Sequence, residues 1–157
     1  WASDLFPIYR SLTGDGNRKT LKYIKKEINN LKIKEVRSGK KVFDWVIPNE
    51  WNIKDAYITD NKGKKILDIK KNNLHVVSYS TPIKKRVSLN ELKKHLFTIK
   101  KIPDAIPYVT SYYKKNWGFC IKYKDYRKLK PGKYNVFIDS KFKKKWFFIL
   151  WRDLFTW

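Results

Sequence analysis

The chain has 157 residues, 42% hydrophobic and 17% aromatic, which is enough for one sizeable core and too apolar for a disordered chain. A net charge of +23 points toward an anionic partner, but only six of the 37 basic residues are arginine, and heavy use of lysine, asparagine and isoleucine also follows from an A/T-rich genome. Base and phosphate reading leans on arginine's forked geometry, so this balance argues against nucleic acid.

No run approaches the ~18 apolar residues of a spanning helix, so no membrane segment is expected. The opening Trp1-Ala2-Ser3-Asp4-Leu5-Phe6-Pro7 has no basic region followed by an apolar one, which predicts no signal peptide. The chain contains no methionine, so the recorded sequence is expected to begin inside an open reading frame. One cysteine excludes an internal disulfide and fits a reducing cytoplasm.

In chain order, Leu5-Phe6-Pro7-Ile8-Tyr9 predicts the end of a short helix. Ser11-Leu12-Thr13-Gly14-Asp15-Gly16 predicts a turn, with Asp15 capping the next helix. Leu21, Ile24, Ile28 and Leu31 recur at helical spacing, so that helix is expected over residues 17–30. The period then becomes two. Strands are expected at 33–36, at 42–47 up to Pro48, at 51–59, and at 65–69 after an Asp60-Asn61-Lys62-Gly63 turn. Another is expected at 74–79. Ser88-Leu89-Asn90-Glu91 reads as a capping box opening a helix that runs to about His95.

The stretch from Ile102 to Ile121 holds Pro103, Pro107, five large aromatics, Gly118 and Cys120. The prolines predict an extended or turning chain to Tyr108. Trp117-Gly118-Phe119-Cys120-Ile121 predicts a buried strand, with Gly118 at a bulge or a close backbone approach. Residues 123–129 predict a short helix, and 134–138 a last strand. The outline is α+β: N-terminal helices, then a mostly antiparallel β region.

Catalytic chemistry is hard to find. A zinc site needs about three converging protein ligands, yet His75 and His95 stand apart and Cys120 sits in an apolar run that suits an inert core thiol. Thr13-Gly14-Asp15-Gly16-Asn17 lacks the Gly-Lys-Ser/Thr ending of a phosphate loop.

Three collinear stretches carry a resemblance. Leu5–Gly16, the run Val42-Phe43-Asp44-Trp45-Val46-Ile47-Pro48-Asn49-Glu50-Trp51-Asn52-Ile53-Lys54-Asp55-Ala56-Tyr57-Ile58, and Pro107–Cys120 resemble a bacterial family of aminopeptidase-like proteins; Asn73–Pro82 fits the same family. The family is similar to co-catalytic zinc aminopeptidases, often encoded among polysaccharide-biosynthesis genes. Its full-length members combine an α/β peptidase domain, an inserted β-rich domain of unknown function and a C-terminal winged helix.

The resemblance implies that residues 1–35 begin the α/β peptidase domain and that 36–140 are the inserted β domain. It implies zinc and a peptide or aminoacyl substrate for the full-length protein. The family's zinc ligands lie in a stretch with Cys-His-Pro-Ser and Asn-Asp-Asn, which nothing here matches, so no catalytic or metal residue is expected in this chain. Arg10, for a carboxylate, and Tyr112, Tyr113 and Trp117, for stacking or packing, are the candidate substrate-side contacts. Residues 141–157 crowd three tryptophans into twelve residues and are expected to be an aberrant tail read in a shifted frame; the contrasting reading is an interfacial amphipathic tail. The alternative function is a basic β-rich module binding nucleic acid or anionic polysaccharide through 22–26, 84–86 and 141–145.

Overall fold

A computed structural model of the chain describes residues 1–28, 30–144 and 146–151, the last group by backbone alone. The chain forms two compact units. One comprises Trp1–Asn52 together with the chain from Phe142 onward, and the other is Ile53–Lys141. The class is α+β with mostly antiparallel pairing, as the sequence predicts.

In the first unit, helix α1 (Ala2–Leu5) is followed by α2 (Asp15–Glu27). Helix α2 begins two residues earlier than its apolar period suggests. Gly14 is its N-cap, with no side-chain cap bond, so Asp15 lies inside the first turn and pairs with Arg18 at 2.8 Å instead of capping. Of the apolar stripe, Leu21 and Leu31 are buried. Strand β1 (Lys32–Arg37) comes next.

The single strand expected at 42–47 is instead a tight hairpin of β2 (Lys41–Val42) and β3 (Trp45–Val46). Phe43, 93% exposed, takes the left-handed region at the turn (φ 54°). Hydrogen bonds from Gly39 N–H to Ile47 O and from Ile47 N–H to Lys40 O fold the stretch on itself. An apolar run does not reveal such a reversal.

The second unit holds a four-stranded sheet. Strand β4 (Glu50–Thr59), whose first residues belong to the first unit, pairs antiparallel with β5 (Lys65–Asp68). Asp60 closes their turn by accepting from Lys62 N–H and Lys64 N–H. Where the period predicts a strand at 74–79, a 3-10 turn at Asn73–His75 comes first, because the Asn72 side chain accepts from Leu74 N–H. Only isolated bridges succeed it, at Val76 and Ser78.

Strand β6 (Ile83–Ser88) carries Lys84, Lys85 and Arg86 on the edge of the sheet. Its charge hides it from a hydrophobic period, yet charged residues suit an edge strand. Ser88 caps helix α3 (Leu89–Lys93) by accepting from Glu91 N–H. Glu91 does not reach back; its carboxylate pairs with Lys85 at 2.8 Å, which holds its carboxyl below the usual range.

Strand β7 (Leu96–Phe97) runs parallel to β8 (Phe119–Cys120), the remnant of the strand expected at 117–121. Helix α4 (Tyr123–Tyr126) leads to β9 (Lys133–Lys143), which pairs with β6 and completes the order β5-β4-β9-β6. Ala56, Ile58, Leu67, Val87, Leu92, Phe119, Val136 and Ile138 form the core of this unit. In the first unit, β10 (Trp146–Trp151) pairs antiparallel with β1. The expected tail is thus a strand in part, while residues 145 and 152–157 lie outside the described residues.

Candidate functional site

Two of the stretches that carry the family resemblance meet in the first unit. The Thr13 hydroxyl donates to Asn49 O at 3.2 Å and accepts from Trp51 N–H at 3.3 Å. Asp15 N–H donates to Asn52 Oδ1 at 2.7 Å. Arg18 forms an ion pair with Glu50, a carboxylate with no exposed surface. A Cβ on Gly14 would strike the Trp51 carbonyl, and one on Gly16 would strike the Tyr9 carbonyl, so both glycines are required by close backbone approach. This clasp is structural. Apart from Glu50 Oε2, which is buried without a hydrogen-bond partner, its polar groups are engaged with one another, and Arg18 is only 19% exposed.

The second unit contains an open cleft of about 620 Å³. Its walls come from the loop between the two prolines and β8. Ser78 N–H donates to Val109 O and Ser111 N–H to Ser78 O, while Val77 N–H donates to Gly118 O and Thr81 N–H to Asn116 O. Both ends of the segment 109–118 are therefore pinned to residues 77–81, and the tip bearing Tyr112, Tyr113 and Lys114 projects between them. Ser80, fully buried, reinforces the base by donating to Val77 O and accepting from Gly118 N–H.

Tyr79 sits at φ 67° and is buried, a backbone conformation that a bulky residue adopts only when its surroundings enforce it. Its ring meets Tyr112 edge-on at 6.0 Å, and Tyr112 meets Tyr113 at 4.5 Å. Val77, Phe97 and Val109 give the cleft an apolar floor, and no acidic residue lines it.

Tyr112 and Tyr113 thus come together at one cleft, with Tyr113 60% exposed. Trp117 lies instead against His95, stacked at 3.7 Å, while the Trp117 carbonyl accepts from His95 Nδ1–H at 2.9 Å. Arg10 is exposed in the first unit. Sequence reasoning missed Phe97 as part of this cleft, because β7 is two residues long and has no period to read. Gly118 fulfils the expected close approach: a Cβ there would stand 2.8 Å from the Phe97 ring and 3.1 Å from His95 O.

The zinc that the resemblance implies does not fit these residues. His75 donates Nδ1–H to the Cys120 carbonyl at 2.9 Å, and burial, opposed by that hydrogen bond, holds its pKa below the ordinary value. The Cys120 thiol is pushed up to about 12 by burial, so it stays protonated. Among the described residues no three His, Cys, Asp or Glu side chains converge as a metal site. None of their helices is long and apolar enough to cross a membrane.

An α+β chain with a core sheet and a tyrosine-walled cleft is the class these observations define. Residues 50–141 match the family model described as a domain of unknown function, DUF2172, and the chain belongs to that family. It is 56% identical over 137 residues to a Clostridium acetobutylicum protein named as a candidate polysaccharide biosynthesis protein with an aminopeptidase-like domain; the match covers 87% of this chain and 31% of that protein. It is also similar to a crystal structure of a candidate peptidase from Clostridium acetobutylicum, at TM-score 0.87 and 52% identity, covering 93% of this chain and 34% of the other. The chain spans about a third of the length of these relatives.

Proposed function

We propose that this chain is the N-terminal part of a zinc-dependent aminopeptidase-like hydrolase, working in the cytoplasm on peptide or aminoacyl substrates. The observation that carries this reading is the 56% identity, over 87% of this chain, to a protein with an aminopeptidase-like domain. In this reading residues 1–35 begin the peptidase domain and 36–140 are the inserted β domain. The zinc ligands lie in the remainder of the whole protein, so the chain alone does not hydrolyse peptides. The inserted domain limits substrate access to the metal site, with the Tyr112–Tyr113 cleft as its substrate-side surface. An acid-free lining suits a carboxylate-bearing substrate end.

The test is hydrolysis of aminoacyl anilides by the full-length protein and by this chain. The full-length protein should lose activity to a chelator and regain it with zinc, and the chain alone should be inactive. Chelator-resistant activity, or turnover by the chain alone, contradicts the proposal.

A further inference from the structure

The outer face of the four-stranded sheet sets two aromatic rings beside a row of basic residues. Tyr57 on β4 and Phe137 on β9 stand side by side, with centroids 5.0 Å apart and planes at 29°. On the edge strand, Lys84 lies opposite Phe137 and Arg86 opposite Asn135. Residues two apart on a strand project to one face about 7 Å apart, so Lys84 and Arg86 form a row of cations beside the rings. These residues line a cleft of about 290 Å³ with no acidic residue in its walls.

Among the described residues neither Lys84 nor Arg86 is paired with a carboxylate. Asn135 Nδ2 donates to Thr59 Oγ1 at 3.2 Å, and among the described residues its amide oxygen accepts no hydrogen bond. Several other charges on the sheet are paired. Lys85 pairs with Glu91, Lys65 with Asp68, and Asp55 with Lys70. Asp139 alternates onto the same face as Phe137 but lies two residues beyond it, away from Asn135 and Arg86.

We infer that this face binds an acidic glycan, independently of any hydrolytic activity. Lys84 and Arg86 hold its carboxylate or phosphate groups, and the Asn135 oxygen accepts a hydrogen bond from a sugar hydroxyl. Hydroxyl donors and repeated anions on one chain are what this set of groups complements. Single-stranded nucleic acid fits less well. Its sequence-tolerant binding relies on bases stacking on open aromatic faces, and the Tyr57 ring is already occupied by Phe137 and by Lys65, whose ammonium lies 4.8 Å from its centroid.

The experiment is calorimetric titration of this chain with oligogalacturonate, its methyl-esterified form and oligodeoxythymidylate at one fixed salt concentration. Because a net charge of +23 attracts any polyanion, two charge-matched variants are compared. Lys84→Ala with Arg86→Ala should weaken oligogalacturonate binding by about tenfold, whereas Lys22→Ala with Lys25→Ala, on the solvated side of α2, should change it less than about twofold. Asn135→Ala should weaken it severalfold, and the methyl-esterified form should not bind. Equal losses in both double variants, tighter binding of oligodeoxythymidylate, or no binding of oligogalacturonate would overturn the inference.

Discussion

In residues 1–52 a side chain with no exposed surface is a carboxylate, Glu50, matched by Arg18; in residues 53–141 the corresponding side chains are Ala56, Phe119, Cys120 and one hydroxyl, Ser80. The first unit is thus locked by a polar clasp in which the Thr13 hydroxyl, the Asn52 amide and both glycines meet fitting neighbours. The second is held by apolar packing across a sheet. A polar network fails abruptly when one member is lost, since the partner left behind is buried and unpaired. An apolar core fails in proportion to the volume removed.

The largest effect should come from the clasp. Arg18→Ala leaves the Glu50 carboxylate buried without its cation and should cost about 3–5 kcal/mol. Replacing both Arg18 and Glu50 by methionine should recover most of that loss. Urea unfolding of the two variants measures it, and a single variant within about 1 kcal/mol of the parent would break the contrast between the units. In the second unit Leu92, 1% exposed, should behave in graded fashion. Leu92→Ala should cost about 2–5 kcal/mol and Leu92→Met under about 1.5 kcal/mol; equal losses for both would contradict graded packing.

A smaller effect is expected from His75. Burial lowers its folded pKa below the unfolded value of about 6.5. Between those two values the unfolded chain takes up a proton that the folded chain does not, so stability is full above pH ~6.5 and falls as the pH drops below it. His75→Asn, which keeps a donor for the Cys120 carbonyl, should flatten this part of the profile. Thermal melts between pH 7.5 and 5 decide the matter; an unchanged slope in the variant would assign the loss to other groups.

Much of the second unit is legible in the sequence. Tyr57, Thr59 and Asp55 alternate as expected along β4, Gly63 turns into β5, and Ser88 caps α3, because each is a local rule that its neighbours do not oppose. The hairpin at Phe43–Asp44 and the basic edge strand β6 are not legible. The first needs an exposed aromatic in the left-handed region, and the second has an apolar content too low to register. At the site, the pairing of Tyr112 with Tyr113 follows from adjacency. The allocation of Trp117 to His95 depends on β7 lying beside β8, a contact between segments over twenty residues apart. The clasp is visible only as two familiar motifs, since nothing in either one states that Thr13 will meet Asn49.

The measurement that bears most directly on the account is steady-state kinetics of a full-length relative carrying the counterparts of Tyr112→Ala and Tyr113→Ala. A substrate-side cleft predicts KM raised by about fivefold or more with kcat nearly unchanged, the pattern of lost binding rather than lost chemistry. An unchanged KM, or a fall in kcat alone, would contradict the placement of substrate at these tyrosines.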